Sequence, residues 1–288
     1  MKVGLTGATG VLGSRLATAF GSHGHEIVPF RGDVRDPASV QDWAHGLPVL
    51  VHSAAMVPVQ QVEKRIDEAI AINVGGTANV ARAAAINSAR LIYISTSHVY
   101  RSSTCRLSED DPLDPVSLYG MTKLQGEQWV GKLTANNLIL RLFSYFDRHQ
   151  AESYLVPSLC RRIAEAPLGS SIDLFGGENR RDMSDAAWLS ETCARLAISD
   201  AQGVVNCATG RDDRVIDIAQ MLAEEMGRAD LSWNIVQDRP ADSLLADTSR
   251  LAALLPSQAP FALRASLRSY AERSRTQHLA TRDTELQP

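Results

Sequence analysis

The chain is poor in cysteine, and its four cysteines among 288 residues form no C-x-x-C pair. They are scattered along the sequence, which favours buried thiols in a reducing compartment over a disulfide or metal role. The histidines also lack the spacing of metal ligands. We therefore expect no metal site. The four cysteines are Cys105, Cys160, Cys193 and Cys207.

Long apolar runs and an excess of positive charge are missing as well. No segment approaches the ~18 consecutive apolar residues of a membrane-spanning helix. The 29 Lys and Arg residues face 33 Asp and Glu residues, and the net charge of −4 argues against nucleic acid or an anionic membrane as the main partner. The N-terminus runs into residues 2–5 without the charged n-region of a signal peptide, so we expect a cytoplasmic protein.

What the chain does contain is an alternation of strand and helix signals. Helical periodicity separates short apolar runs and is longest over residues 63–86. This alternation predicts an α/β fold with a Rossmann-like, doubly wound parallel sheet. The runs read as strands are residues 2–5, 26–30, 49–52, 91–94 and 138–142.

The second half of the chain shows a looser pattern. We predict a dinucleotide-binding Rossmann domain over residues 1–146, to which residues 203–228 return. Residues 147–202 and 229–273 are expected to form a small α+β substrate-binding lobe. Residues 274–288 are polar and aperiodic, which predicts a flexible tail.

A glycine-rich segment, T-G-A-T-G-V-L-G, follows the first strand and opens the first helix. This context favours a dinucleotide site. Gly7 permits a tight turn, Gly10 lets the backbone approach a pyrophosphate, and Gly13 lets the helix pack closely on the sheet. The helix N-terminus offers free N–H groups to phosphate. The expected cofactor contacts here are Gly7, Thr9, Gly10, Val11, Leu12 and Gly13.

The end of the second strand bears on the choice between NADP and NAD. An acidic residue there binds the ribose 2′-hydroxyl, whereas an arginine accommodates a 2′-phosphate. Arg31 lies at this point, so we favour NADPH. NAD is the alternative, in which Asp33 reaches the ribose and Arg31 is a solvated surface residue.

Tyr119 and Lys123 are four residues apart in a predicted helix over residues 117–133, and so they share one helix face. Lowering a tyrosine pKa from ~10 to ~7 requires roughly 4 kcal/mol. A cation about 4–5 Å away, at an effective dielectric near ~20, supplies about that much. The pair is therefore suited to proton transfer, although the spacing is also typical of an aromatic residue packed beside a solvated lysine.

Together these segments resemble the extended short-chain dehydrogenase/reductase family, also called the NAD-dependent epimerase/dehydratases, from Val3 to about Arg273. The T-G-x-x-G-x-x-G form of the turn is typical of that family. Further motifs of the family have counterparts in G-D-V-R-D (residues 32–36), H-S-A-A (52–55), N-V-G-G-T (73–77) and S-T-S-H-V-Y (95–100).

The resemblance implies a role for each matched residue. Tyr119 would exchange a proton with the substrate oxygen, while Lys123 holds the nicotinamide ribose and lowers the Tyr119 pKa. Thr96 would hydrogen-bond the reacting carbonyl or hydroxyl. The nicotinamide gives or takes the hydride. Further cofactor contacts implied by the resemblance are Asp33, near the adenine amino group, and Val34, Ser53, Ala54, Ala55 and Asn73.

The connection between the second strand and Gly32-Asp33 is shorter than is common in the family. It resembles that of sugar-nucleotide reductases such as dTDP-4-dehydrorhamnose reductase and GDP-fucose synthase. We therefore expect reduction of a 4-keto-6-deoxy sugar nucleotide. An NAD-dependent sugar-nucleotide 4-epimerase is the alternative, since it would use the same catalytic residues. A non-catalytic dinucleotide-sensing regulator is the alternative of another class, and a small non-nucleotide ketone is another candidate substrate.

Substrate contacts follow from the same resemblance. Arg181, in the segment R-R-D-M, is the candidate ligand of the substrate diphosphate, because an arginine fork fits phosphate oxygens. Ser144 stands where the family has asparagine. His98 could donate to a sugar hydroxyl, act as a second acid or base, or line the pocket. The expected substrate residues are Thr96, Ser97, His98, Ser144 and Arg181.

The family usually dimerises by packing two helices of each subunit into a four-helix bundle. Here these helices would begin near Asn73 and Ser117. The alanines within residues 81–85 permit close helix approach, but they also suit packing on the sheet. We expect a homodimer on the resemblance.

Overall fold

The alternating signals of the sequence become thirteen strands and eleven α-helices in the computed structural model, which describes residues 1–236 and 240–285. The strands are β1 (Lys2–Thr6), β2 (Glu26–Pro29), β3 (Val49–His52), β4 (Arg90–Thr96), β5 (Asn137–Leu142), β6 (Ser144–Phe146), β7 (Ser171–Phe175), β8 (Arg180–Arg181), β9 (Met183–Asp185), β10 (Gly203–Cys207), β11 (Asp213–Arg214), β12 (Ser232–Val236) and β13 (Ser243–Leu244).

The helices alternate with these strands, and two short turns of other helical types lie near the site. The α-helices are α1 (Val11–Ser22), α2 (Pro37–Ala44), α3 (Val59–Lys64), α4 (Ile66–Ile70), α5 (Thr77–Ile86), α6 (Leu118–Leu133), α7 (Leu155–Glu165), α8 (Ala186–Ile198), α9 (Val215–Glu225), α10 (Ser249–Leu254) and α11 (Leu263–Glu285). The two turns are a π-helical one (Ala71–Gly76) and a 3₁₀ one (Ser97–Val99).

Six strands form one sheet in the order β10-β5-β4-β3-β1-β2, with every pair parallel. All four residues of β3 are buried, and so are nearly all residues of β4 and β5. Parallel strands covered by helices on both faces have this continuous apolar character. The predicted Rossmann-like α/β fold is confirmed.

The strand order reverses beside β1. The chain passes from β1 through α1 to β2 on one side, then returns through α2 to β3 on the other side. A crevice therefore opens at the carboxyl ends of β1 and β3, where open α/β sheets bind ligands. Within the described chain β2 pairs with β1 alone, as the short connection before Gly32 leads one to expect.

Helices cover both faces of the sheet. On one face α1 packs against α8, and Leu16, Phe20 and Leu189 are all but fully buried there. On the other face α2, α5 and α6 share a core that includes Val80 and Val130. Full burial of such side chains stabilises the fold by ~1.5–3 kcal/mol each. The two faces hold the carboxyl ends of the strands in a fixed relation.

A second core lies outside the sheet. It is formed by α7, α9 and α11 together with β7 and β12. Two helices pack differently from the predicted division into domains. Helix α8 lies in residues 147–202, which were assigned to the lobe, but it packs on α1 of the Rossmann domain. Helix α9 lies in residues 203–228, which were assigned to the Rossmann domain, but it packs on α7 and α11 of the second core. From these contacts we propose that α8 belongs to the Rossmann domain and α9 to the lobe.

Two smaller expectations also differ from the structure. The last helix, α11, continues to Glu285, although a flexible tail is predicted from residue 274 onwards. Residues 271–285 contain no proline or glycine that would end the helix. Residues 286–288 of that tail lie outside the described residues. Among the cysteines, Cys193 and Cys207 are buried as expected, but Cys105 is exposed.

Candidate functional site

The turn between β1 and α1 depends on two glycines. Gly7 has a φ of +71°, in the left-handed region that favours glycine. A Cβ atom on Gly7 would lie 2.7 Å from the backbone nitrogen of Ala54, and one on Gly13 would lie 2.0 Å from the carbonyl oxygen of Gly7. The turn is therefore pressed against the end of β3 and against its own helix. A side chain at Gly7 or Gly13 would fill the space in this turn, which we call the glycine cradle.

The N-terminus of α1 faces this cradle without a cap. Gly10 is the N-cap, no side chain caps the helix, and its first turn holds no acidic residue. Thr9 and Gly10 are exposed and Val11 is half-buried, whereas the Leu12 side chain belongs to the core. The first N–H groups of a helix have no partner within the helix and carry a positive partial charge. An anion such as a pyrophosphate fits here.

Thr6 ties the end of β1 to the segment that follows β3. Its hydroxyl oxygen accepts hydrogen bonds from the backbone nitrogens of Ser53 and Ala54, at 3.2 Å each. The predicted cofactor residues Ser53, Ala54 and Ala55 are half-buried along this edge of the crevice. The structure thus brings the H-S-A-A motif beside the glycine turn.

His52 lies beneath this edge in a buried hydrogen-bond chain. Its Nδ1 is 2.7 Å from Thr6 Oγ1, and its Nε2 is 3.0 Å from Thr77 Oγ1. The Thr77 hydroxyl donates its proton to the carbonyl oxygen of Asn73 at 2.6 Å, so it can only accept from His52. This pattern assigns the proton to Nε2 and leaves the imidazole neutral. Burial, followed by the nearby charge of Lys123, lowers the His52 pKa to about 3.

The neutral His52 is expected to make the fold sensitive to acid. Between its folded pKa and the unfolded value of ~6.5, the unfolded chain binds a proton that the folded chain does not, so stability falls as the pH decreases. Because the unfolded imidazole is only half protonated at pH ~6.5, acidification from pH ~6.5 to ~4.5 removes roughly 2 kcal/mol. Urea unfolding at both pH values should show a smaller loss in His52→Gln than in the original chain, and an equal loss would contradict this assignment.

The three predicted catalytic residues meet at the end of β4. Thr96 ends that strand, and Tyr119 and Lys123 lie on α6, which begins after the cap Ser117. A Cβ atom on Gly120 would lie 2.2 Å from the carbonyl oxygen of His98, so α6 packs directly on the turn that follows β4. This close packing brings the Thr96 hydroxyl near enough to the Tyr119 phenol to influence its pKa.

The charge state of Tyr119 differs from the expectation. Burial raises the Tyr119 pKa well above its ordinary value, Tyr154 raises it further, and the hydrogen bond from Thr96 opposes this change. Lys123 is not among the causes, so the expectation that it lowers the Tyr119 pKa is not confirmed. At neutral pH the phenol keeps its proton, which suits a proton donor.

Lys123 is packed on an aromatic ring, a contact that the sequence did not predict. The residue is 3% exposed, and its ammonium group lies 4.1 Å from the centre of the Tyr93 ring. Burial lowers the Lys123 pKa to about 7, and the carboxylate of Glu127 opposes that change. Tyr93 and Glu127 are the partners that sequence reasoning missed, although Glu127 stands one helical turn after Lys123.

His98 lies beside Tyr119, and Arg181 is close enough to influence its pKa. His98 is exposed, and its ring meets the Tyr119 ring edge-on, with centres 5.8 Å apart. The surrounding protein lowers the His98 pKa, Arg181 lowers it further, and Asp242 acts in the opposite sense. The structure therefore places these two predicted substrate residues in one region with the catalytic set.

Arg181 already has an acidic partner. Its Nη1 donates to Asp242 Oδ1 at 2.5 Å and to the carbonyl oxygens of Asp242 and Arg180 at 3.1 and 2.8 Å. An incoming diphosphate would have to share or displace the Asp242 carboxylate. No motif in the sequence marks Asp242, because it is 61 residues from Arg181.

The remaining predicted substrate residues lie close by. Ser97 is 3% exposed, so it is enclosed by the protein. Ser144 begins β6, is half-buried, and pairs in register with Met183 on β9. That pairing carries the R-R-D-M segment to the catalytic side of the cleft.

Asn73 is buried and fully engaged by the protein. Its amide oxygen accepts from the backbone nitrogen of Met56 at 2.7 Å, and its amide nitrogen donates to the Met56 carbonyl at 3.3 Å and to Thr122 Oγ1 at 3.0 Å. These bonds tie the loop after β3 to α6. The resemblance implies that Asn73 contacts the cofactor directly. Because its amide is engaged by Met56 and Thr122, we propose instead that it fixes the loop after β3 against α6.

At the far end of the crevice Arg31 and Asp33 are both exposed. The Asp33 carboxylate binds the Arg35 guanidinium, with Nη2 at 2.5 Å and Nε at 2.9 Å, and this hydrogen bonding lowers the Asp33 pKa. Val34 is buried against Gly76, where a Cβ atom would lie 2.6 Å from Val34 Cγ2. Arg35 is thus paired with Asp33, whereas Arg31 follows β2, at the position from which the sequence predicts a contact to a 2′-phosphate.

Neither a metal-binding cluster nor a membrane-spanning helix occurs among the described residues. In residues 1–236 and 240–285, no group of three or more His, Cys, Asp or Glu side chains is arranged to hold a metal ion. Over the same ranges, none of the helices combines the length and apolar character needed to cross a bilayer.

Comparison with curated proteins shows partial matches. The chain is 34% identical over 134 residues to dTDP-4-dehydrorhamnose reductase of Mycolicibacterium smegmatis, covering 45% of this chain and 41% of that protein. It is 35% identical over 153 residues to methionine adenosyltransferase 2 subunit beta of Rattus norvegicus, covering 49% and 46%. The chain spans about half the length of the curated relatives it matches.

Solved structures share the fold over nearly the whole chain. MoeE5 in complex with UDP-glucose and NAD superposes with a TM-score of 0.84 at 24% identity, covering 96% of this chain and 99% of that one. A dTDP-4-dehydrorhamnose reductase from Bacillus anthracis str. Ames in complex with NADP superposes with a TM-score of 0.82 at 22% identity, covering 93% and 98%. At these identities the likeness shows a common fold.

The family model described as RmlD substrate binding domain matches residues 1–166, more than half of the 288 residues. The matched range includes the glycine turn, Thr96, Tyr119 and Lys123. The predicted resemblance to sugar-nucleotide reductases is thereby confirmed, and the chain belongs to the RmlD substrate binding domain family.

Proposed function

We propose that this protein is an NAD(P)-dependent oxidoreductase that reduces a 4-keto-6-deoxy sugar nucleotide. The observation that carries the proposal is the meeting of Tyr119 and Thr96, with Lys123 one helical turn away, beside the crevice between β1 and β3. Membership of the family and the 34% identical dTDP-4-dehydrorhamnose reductase support it.

The residues at the crevice fit a dinucleotide. The uncapped N-terminus of α1 suits a pyrophosphate, and the cradle at Gly7 and Gly13 would be filled by any side chain. Lys123 would hold the ribose next to the nicotinamide. When bound, the reduced nicotinamide supplies the hydride for the substrate carbonyl.

The chain's own residues would then handle the substrate oxygen. Thr96 donates a hydrogen bond to the carbonyl oxygen and orients it. Tyr119 donates its proton to the same oxygen as negative charge develops there. Because burial keeps the Tyr119 phenol protonated, the site is ready for reduction, whereas a 4-epimerase would first need Tyr119 as a base.

Arg31 is proposed to favour NADPH over NADH. A hydrogen bond to a charged group contributes ~1.5–3 kcal/mol, so Arg31→Ala is expected to raise the Kd for NADPH by ~10–100-fold and to leave the Kd for NADH unchanged. Fluorescence titration of both cofactors checks this. Arg35→Ala is the matched control, because Arg35 is already paired with Asp33. Equal weakening of both cofactors in Arg31→Ala would refute the role.

Turnover assays with purified protein test the proposed reaction. NADPH or NADH is supplied with 4-keto-6-deoxy sugars carrying different nucleotide bases, and the products are separated. Stoichiometric loss of the reduced cofactor, with formation of a 4-hydroxy product, is the expected result. Conversion of one sugar nucleotide to its 4-epimer without net consumption would favour the epimerase instead.

A non-catalytic dinucleotide-sensing regulator remains the alternative of another class. The similarity to methionine adenosyltransferase 2 subunit beta favours keeping it, since that relative is named as a subunit. If Tyr119→Phe preserved full biological activity in cells, the regulator would be the better account.

We also propose a homodimer located in the cytoplasm. Ile86 on α5 and Met121 and Trp129 on α6 are 64%, 45% and 44% exposed, and apolar groups of this kind on neighbouring helices favour a covered face. The exposed thiol of Cys105 suits a reducing compartment. Sedimentation analysis of the original chain and of Trp129→Glu tests the dimer, because the variant should be monomeric.

A further inference from the structure

Strand β8 carries two neighbouring arginines, and each of them is paired with an aspartate of its own. Arg180 binds Asp212 through two nitrogens, with Nε 2.6 Å from Oδ1 and Nη2 2.9 Å from Oδ2. Arg181 binds the Asp242 carboxylate through Nη1, which is 2.5 Å from Oδ1. Because successive side chains of a strand point to opposite faces, the two ion pairs lie on different sides of β8.

The segment that carries Arg181 is anchored at the catalytic edge of the main sheet. The next residue, Asp182, accepts hydrogen bonds from the backbone nitrogens of Thr209 and Gly210, at 2.8 Å each. These two residues follow β10, which lies beside β5, and β5 lies beside β4, the strand that ends at Thr96. Arg181 is therefore fixed near the carboxyl ends of the strands, where the catalytic residues meet.

The protein satisfies only part of the Arg181 guanidinium. All its hydrogen bonds to residues 1–236 and 240–285 come from Nη1, and they end on the Asp242 carboxylate and on the carbonyl oxygens of Arg180 and Asp242. Nε and Nη2 form the edge of a guanidinium that can bind two phosphate oxygens together. The arginine is thus held in place through Nη1 and keeps a second edge for an anion.

Asp242 is fixed by its backbone rather than by its side chain. Its backbone nitrogen donates to Asn179 Oδ1 at 3.0 Å, and its carbonyl oxygen accepts from the Arg180 nitrogen at 2.9 Å. Its side chain is 46% exposed, whereas that of Arg181 is 19% exposed. The carboxylate can therefore rotate into solvent while the arginine and both chain segments stay where they are.

We propose that Asp242 sets the substrate affinity of the cleft by competing with the substrate diphosphate for Arg181. The inference rests on the proposed function, in which Arg181 binds the diphosphate of a sugar nucleotide. In the empty cleft the carboxylate neutralises the guanidinium. When phosphate oxygens meet Nε and Nη2, the carboxylate either leaves the arginine or remains as a like charge nearby, and both outcomes weaken binding.

Calorimetric titration with dTDP, UDP and GDP tests this competition. Saturating NADP⁺ is present, so that the glycine cradle is filled and the added nucleotide meets the substrate side of the cleft. Asp242→Asn keeps the size of the side chain and removes its charge. We expect it to lower the Kd of the preferred nucleotide by ~3–10-fold, the effect of a partly exposed ion pair. An unchanged Kd overturns the inference, and so does a higher one, which would mean that Asp242 itself binds the nucleotide.

The other ion pair of β8 provides the matched control. Asp212→Asn removes the same charge from the neighbouring arginine, so its Kd should equal that of the original chain. Arg181→Gln should raise the Kd, and adding Asp242→Asn to it should bring no gain, because the group competed for is gone. An equal gain in Asp212→Asn, or a gain that persists in the double variant, would overturn the inference.

Turnover distinguishes failure of the inference from failure of the proposed function. If both hold, the KM for the sugar nucleotide falls in Asp242→Asn in parallel with the Kd. Turnover of sugar nucleotides with the same Kd and KM in Asp242→Asn as in the original chain would overturn the inference alone. A lowered Kd, but no turnover of any 4-keto-6-deoxy sugar nucleotide by the original chain, would overturn the proposed reaction alone. If the original chain bound none of the three nucleotides, both would be wrong.

Discussion

Replacing Tyr119 with phenylalanine is expected to lower kcat by ~10²–10⁴-fold, the usual contribution of a positioned acid or base. The change removes one oxygen and keeps the ring that meets His98 edge-on. Because the phenol is the group that donates the proton, the loss should fall on the chemical step. NADPH affinity and thermal stability should stay close to those of the original chain, which fluorescence titration and unfolding can verify.

A neighbouring phenol provides the control for this experiment. Tyr154 acts on Tyr119 electrostatically but is not its hydrogen-bond partner, so Tyr154→Phe should reduce kcat much less. Thr96→Val should lower kcat as well, since the substrate carbonyl would lose the hydrogen bond that orients it. If Tyr119→Phe retained a tenth or more of the activity, another residue would have to be the acid, and His98 would be the first to examine.

A methyl group on Gly7 should have the second large effect. Gly7→Ala places a Cβ atom 2.7 Å from the Ala54 backbone nitrogen and puts alanine at a φ of +71°. The left-handed backbone costs ~1–2 kcal/mol, and the overpacking ~1–3 kcal/mol more. Since the residues at the end of β3 must move into the crevice, we expect dinucleotide affinity to fall by more than about 100-fold, or ~2.7 kcal/mol.

Gly24→Ala is the matched control for backbone strain. Gly24 has a φ of +74°, but a Cβ atom there would have no neighbour within 4 Å. Its variant should therefore lose ~1–2 kcal/mol of stability in urea and bind NADPH normally. Equal effects of the two substitutions on binding would show that the contact between Gly7 and Ala54 is unimportant for the cofactor.

Much of the fold was readable from local pattern. Strand β3 has the bounds predicted from the sequence, residues 49–52, because a short strand that is buried on both faces appears in the sequence as a compact, largely apolar run. The helix carrying Tyr119 was likewise visible, with Ser117 as its cap. The long periodicity over residues 63–86 was visible too, but not its division at Arg65 and the π-helical turn.

The partners of the helices were a different matter. α8 and α9 each show an apolar face, yet that face does not specify what it will cover. One packs on α1 and the other on α7 and α11, opposite to the predicted division. Packing partners depend on the path of the whole chain, so a pattern within one helix does not contain them.

The features of the candidate site also separate into those visible in the sequence and those that depend on the fold. The glycine turn and the pair Tyr119–Lys123 act through neighbours in the chain, and a single strand–turn–helix or one helical turn is enough to place them, so the printed sequence already identified them. The protonation of those groups depends on burial and on contacts between distant positions. Tyr93 is 30 residues from Lys123 and Ser95 is 32 from Glu127. The retained proton of Tyr119, the lowered pKa of Lys123 and the carboxylate beside it therefore emerged from the folded molecule.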